Sequence, residues 1–141
     1  MTSEPREIAI SAQLQEGVVN AFEVAALWLQ ESEELLFVLA SENGEPQIAT
    51  IDGCQTQTEV LERLRDWTSA KPGIEWLVQV GCATTGGNGA GVDALVAHCA
   101  ERGQPEGFVL LQELHRNATD NVLVPTGEIE FVQRIKNDFC T

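Results

Sequence analysis

The stretch that most constrains this chain is Trp76 to Arg102, WLVQVGCATTGGNGAGVDALVAHCAER. Ahead of its loop, Ile74 to Val80 is apolar apart from Glu75 and Gln79, the pattern of a central strand covered on both faces. Four glycines fall in the six residues from Gly86 to Gly91. After them Val92, Leu95, Val96 and Cys99 recur at helical spacing, so a helix is expected, closed by Gly103. A strand that feeds a glycine turn into a helix makes a ready anion site. The glycines let the backbone approach a phosphate, and the free N–H groups of the helix start point at it.

The flanking segments supply the rest of a fold. Glu7 to Leu14 alternates Ile8, Ile10, Ala12 and Leu14 with polar residues, the period of a half-buried strand, and Gly17 breaks it. Asn20 and Glu23 are spaced as a capping box that opens a helix to about Glu31, burying Val24, Leu27 and Trp28. Leu35–Ser41 and Gln47–Ile51 read as a hairpin around Asn43-Gly44, two residues that tolerate positive φ. A second capping box, Thr56 and Glu59, starts a helix with Val60, Leu61, Leu64 and Trp67 on one stripe, and Lys71-Pro72-Gly73 ends it. Phe108 to Leu114 is a further apolar strand, and Val122 to Val124 is a short apolar segment. Pro125-Thr126 is expected to begin a last helix carrying Ile129, Val132, Ile135 and Phe139. The order implies an α/β (mixed α+β) class. Its central sheet is mixed and partly antiparallel, with helices on both faces, in a single domain spanning residues 1–141.

The formal charge of −14, from 22 acids against 8 bases, limits the partners. Nucleic-acid binding depends on neutralising phosphates with Lys and Arg, so this field repels nucleic acid. It favours a small cationic amine or a basic protein, although an acidic proteome would give the same number. Cys54, Cys82, Cys99 and Cys140 lie far apart with no C-x-x-C pair, and His98 and His115 complete a thin set of soft ligands, so buried free thiols are expected rather than a metal site. The longest apolar run, Leu35 to Ala40, is too short to span a membrane, and the first residues lack the apolar stretch of a signal peptide. The expectation is a soluble, cytoplasmic protein.

Three phosphate-binding patterns compete for the glycine loop. The nucleoside-triphosphate loop fails because Gly87, not Lys, follows Gly86. The dinucleotide fingerprint is met only in its weaker form, Gly89-x-Gly91-x-x-Ala94. The run from Gly86 to Leu95, between an apolar strand and the next strand at Phe108–Leu114, resembles the acetyl-coenzyme A loop of the GNAT N-acetyltransferase superfamily. That pattern is [RQ]-x-x-G-x-[GA], and Gly89 and Gly91 fall on its two glycine positions. The resemblance implies a GNAT-like sheet splayed between the strands ending near Val80 and Leu114, with the pantetheine arm of acetyl-CoA between them. It places the cofactor's pyrophosphate at Gly86, Gly87, Asn88, Gly89, Ala90 and Gly91, with Asn117 where many members carry an asparagine. It also implies direct acyl transfer to a small amine or basic peptide, with Glu75 or His115 taking the amine proton. Gly86 stands where the pattern has Arg or Gln, and the chain contains no tyrosine to protonate the departing thiolate. Those departures, together with the charge, motivate the alternative of a non-enzymatic acidic binding protein, such as an inhibitor, immunity factor or adaptor for a basic partner.

Overall fold

The computed structural model describes residues 11–32, 35–51, 56–85 and 92–137. Two helices and seven strands follow in the order α1 (Ala12–Leu29), β1 (Leu36–Glu42), β2 (Glu45–Thr50), α2 (Gln57–Ala70), β3 (Ile74–Thr85), β4 (Val92–Glu101), β5 (Glu106–Arg116), β6 (Leu123–Pro125) and β7 (Glu130–Lys136). They form a mixed α+β fold around one seven-stranded sheet of order β2-β1-β3-β4-β5-β6, with β7 also pairing β5. Every pairing is antiparallel, so the expected partly parallel sheet is corrected. Because successive residues of a strand point to opposite faces, β1 divides its side chains between two cores. Phe37 and Leu39 join Val78, Val80, Leu95 and Cys99 beneath α1. Val38 and Ala40 join Leu77 and Ala100 beneath α2. Helices therefore lie on both faces, as the sequence pattern implies.

The hairpin and second helix follow their local chemistry. Asn43 and Gly44 adopt φ of 53° and 85°, the left-handed pair that a two-residue hairpin turn needs. Thr56 accepts from the Glu59 amide at 3.1 Å, and the Glu59 carboxylate accepts from the Thr56 amide at 3.3 Å, closing the capping box of α2. The far end of α2 is capped from outside. Arg102 donates Nε to the Ile74 carbonyl at 2.6 Å and Nη2 to the Thr68 and Lys71 carbonyls at 3.0 and 3.2 Å.

Three expected elements are different. Residues 12–14, expected at the end of a strand, are the first turn of α1, capped by Ser11 Oγ accepting from the Leu14 amide at 3.1 Å. Residues 7–10 of that expected strand lie outside the described residues. The buried series Leu14, Val18, Ala21, Phe22, Ala25 and Leu29 keeps helical spacing straight through Gly17. That glycine is no break; the Trp76 indole lies against it so closely that a Cβ there would overlap the ring. The expected helix after the glycine loop is strand β4, paired residue for residue with β3 from Trp76↔Glu101 to Thr85↔Val92. Buried on both faces, β4 presents a near-continuous apolar run, and in such a run helical and strand periods coincide. The expected last helix is strand β7, whose Phe131 packs edge-on against Phe108 at 6.2 Å between ring centres. Its expected anchor Phe139 lies outside the described residues.

Candidate functional site

Of the residues implied by the GNAT resemblance, Glu75, Val80, His115 and Asn117 fall within the described residues. Gly86, Gly87, Asn88, Gly89, Ala90 and Gly91 lie outside the described residues. From Val92 onward the chain is a strand, so the helix amides expected to receive a diphosphate are replaced by ladder groups of β4. The strands expected to splay apart, residues 74–80 and 107–114, are not neighbours, because β4 pairs with both β3 and β5 between them. Val80 is 0% exposed, and its backbone lies in register with Phe37 on one side and Ala97 on the other. Asn117 organises the turn after β5, its side-chain oxygen accepting from the Thr119 amide at 2.8 Å.

Glu75 and His115 sit at opposite ends of the sheet. Glu113, two residues before His115, is level with Ala94 and through it with Ala83, eight residues along β3 from Glu75. At strand rise that is about 25 Å. Glu75 instead braces the β1–β2 turn, where its Oε1 accepts from Ser41 Oγ at 2.9 Å and from the Gly44 amide at 3.1 Å. His115 is exposed and in register with Val124 of β6.

A concavity lies near Glu75, on the α1 face of the sheet. It is a cleft of about 770 Å³ between the N-terminal half of α1 and the sheet surface of the β1–β2 hairpin. Its existence follows from where α1 sits. The helix packs on β3, drawn in by the Trp76–Gly17 contact, and leaves Pro46 and Ile48 uncovered beside it, with the buried Leu39 and Ser41 at the floor. Glu16 comes from the helix, Glu75 from the start of β3 and Glu101 from the end of β4, which is in register with Trp76. Glu101 Oε1 accepts from the Ser11 amide at 3.3 Å and so ties the helix start to the sheet. Among the described residues, no lysine or arginine lines the cleft, and Trp76, Val24, Leu39 and Ile48 give it an apolar side.

This cleft was not visible from sequence reasoning, because its carboxylates come from positions 16, 75 and 101, with no motif spacing. The signals that existed were the buried Gly17 and the isolated Glu75 within an apolar strand.

Among the described residues, Cys82 and Cys99 are free thiols, and burial pushes the Cys99 thiol up to about 12. No described helix is long and apolar enough to cross a membrane, and no described group of three or more His, Cys, Asp or Glu could hold a metal ion. No protein-family model, curated protein or solved structure matches this chain.

Proposed function

We propose that this protein is a non-enzymatic acidic binding module, an adaptor or inhibitor that takes lysine or arginine side chains of a basic partner in the α1–hairpin cleft. The observation that carries this reading is the set of three carboxylates, Glu16, Glu75 and Glu101, placed around Trp76 with no described cation among the lining residues. A guanidinium or ammonium group gains from the carboxylates and from the face of an indole. The methylene stem behind such a head is apolar and suits Val24, Leu39 and Ile48. A net charge of −14 would speed the encounter with a cationic surface.

Calorimetry with an arginine- and lysine-rich peptide, at low and at high salt, tests this. Binding is expected at low salt and is expected to weaken steeply as salt screens exposed charges over about 8–10 Å. Glu16→Gln with Glu101→Gln keeps hydrogen-bonding capacity at both positions and should weaken binding by roughly tenfold. No saturable heat at low salt, or affinity indifferent to both substitutions, removes the reading. A parallel titration with acetyl-CoA separates the acyltransferase alternative. Saturable binding abolished by Gly89→Asp would favour that alternative instead.

A further inference from the structure

The other face of the sheet carries a second, chemically different recess. It opens where α2 begins, between Gln57 and the strands β3 and β4, and measures about 280 Å³. Gln79 and His98 lie directly opposite each other in the β3–β4 register and both line it. Gln79 is only 2% exposed. Its Oε1 and the Nδ1 of His98 are buried, and neither has a hydrogen-bond partner among the described residues. A pair facing each other across neighbouring strands is close enough to interact, yet neither heteroatom is paired with the other. Gly81 keeps that space open, because a Cβ there would stand 3.3 Å from Leu36 Cδ1 and 3.7 Å from Gln79 Nε2.

Buried polar atoms are nearly always paired, and one left unpaired costs stability that a fitting ligand restores. Among the described residues, no carboxylate, lysine or arginine lines the recess. A charged guest would therefore be buried without a counter-charge, which is strongly unfavourable. The volume also selects. An apolar cavity of about 150 Å³ admits benzene, whereas sites for larger ligands begin near about 300 Å³. One substituted ring, or a small amide, fills this one.

We propose that the recess formed by Gln79, His98 and Gly81 binds a small, neutral, planar molecule through an amide-type edge, a hydrogen-bond donor beside an acceptor, as in a primary carboxamide or an aminopyrimidine. The Gln79 carboxamide meets one group of that edge and the His98 imidazole the other. Leu36 and Val96 cover its apolar part. The site is independent of the acidic cleft, which lies on the opposite face under α1.

The test is a ¹H–¹⁵N NMR titration of the full chain with 2-aminopyrimidine, with toluene as a shape control. Saturable shifts are expected at the Gln79 side-chain amide and at the Gly81 and His98 backbone amides. Gln79→Met should weaken binding by about tenfold while raising the melting temperature, since it replaces a side chain whose buried Oε1 is unpartnered with an apolar chain of similar length. Gly81→Val should block the recess and abolish the shifts, with the remaining spectrum retained. Absence of saturable shifts in the wild type, equal binding of toluene, or indifference of 2-aminopyrimidine to both substitutions overturns the proposal. A lowered melting temperature for Gln79→Met also overturns it, because the amide would then be satisfied without a ligand.

Discussion

Replacing Gly17 by alanine sets two effects of known sign against each other. In an exposed helix interior, alanine is favoured over glycine by about 1 kcal/mol. Gly17 is buried, however, and its missing Cβ is the space occupied by Trp76: three ring atoms crowd the position, with Cζ2 at 2.9 Å the farthest of them. Ordinary contact needs roughly another ångström, so the indole or the helix must move, and overpacking of this kind costs about 1–3 kcal/mol. Gly17→Ala is therefore expected to change stability by between about zero and a 2 kcal/mol loss, instead of the gain that helix propensity alone gives. The decisive measurement is the same substitution in a Trp76→Ala background. With the ring gone the clash is gone, and Gly17→Ala should stabilise by about 1 kcal/mol. The double-mutant cycle then yields a coupling of about 1–3 kcal/mol. Urea denaturation at constant m-value reads all four proteins, with Trp28 and Trp67 left as fluorescent reporters. Equal stabilisation by Gly17→Ala in both backgrounds would refute the contact, and with it the placement of α1 that opens the acidic cleft.

Two further outcomes rest on the same packing. Arg102→Lys keeps a charge near the end of α2 but loses the planar fork that reaches the Ile74, Thr68 and Lys71 carbonyls, and should cost about 1–2 kcal/mol, with Arg102→Ala costing about 3 kcal/mol; urea midpoints, with faster amide exchange confined to the last turn of α2, check it. Cys99 has its thiol pKa raised by burial from 9.0 to about 12, so in alkali the unfolded chain ionises first: its contribution is intact below pH 9.0 and lost progressively from there to about 12, and Cys99→Ala should flatten that part of the stability–pH profile measured by denaturation.

Legibility tracked how local the determining interaction is. The Asn43-Gly44 turn and the Thr56/Glu59 box are each complete within a few residues, and both stand in the structure where the sequence puts them. The start of β3 is legible because Gly73 bounds its apolar run, whereas residues 81–85, expected to follow the strand, continue it. The second half of α1, from Asn20, was legible as a helix; its first half, Ala12 to Val19, was hidden by Gly17, whose reason for being there is a side chain 59 positions later in the chain, Trp76. β4 was hidden because a strand with both faces covered has no alternation to show, and Val92, Leu95, Val96 and Cys99 satisfy a helical template by coincidence. β7 carries the same ambiguity for a different reason: as an edge strand it leaves Phe131 and Val132 45% and 49% exposed, so its apolar residues do not alternate inward. The candidate sites were less legible still. The acidic cleft draws from α1, β3 and β4, and the Gln79–His98 pair exists only through a register that neither residue's neighbours specify.

Both recesses have one geometric origin. Five consecutive strands from β2 to β5 are roughly 20 Å wide at ordinary strand spacing, while a helix with its side chains is about 10–12 Å across. One helix per face covers about half of such a sheet, and some of its surface must remain open wherever no third layer arrives. On the α1 face the opening falls over the hairpin, where the chain places Glu16, Glu75 and Glu101 around an indole. On the α2 face it falls beyond the helix start, where the chain places an uncharged carboxamide and an imidazole whose pKa burial lowers. A chain selected only for solubility would put charge on both openings, because exposed charge costs little and unpaired buried amides cost stability. The contrast between a charged recess and a neutral one with orphaned polar atoms is therefore the reason for assigning them different ligands. It also predicts that only one of the two sites responds to salt. Peptide binding at the acidic cleft should fall as ionic strength rises, while binding of 2-aminopyrimidine on the other face should not.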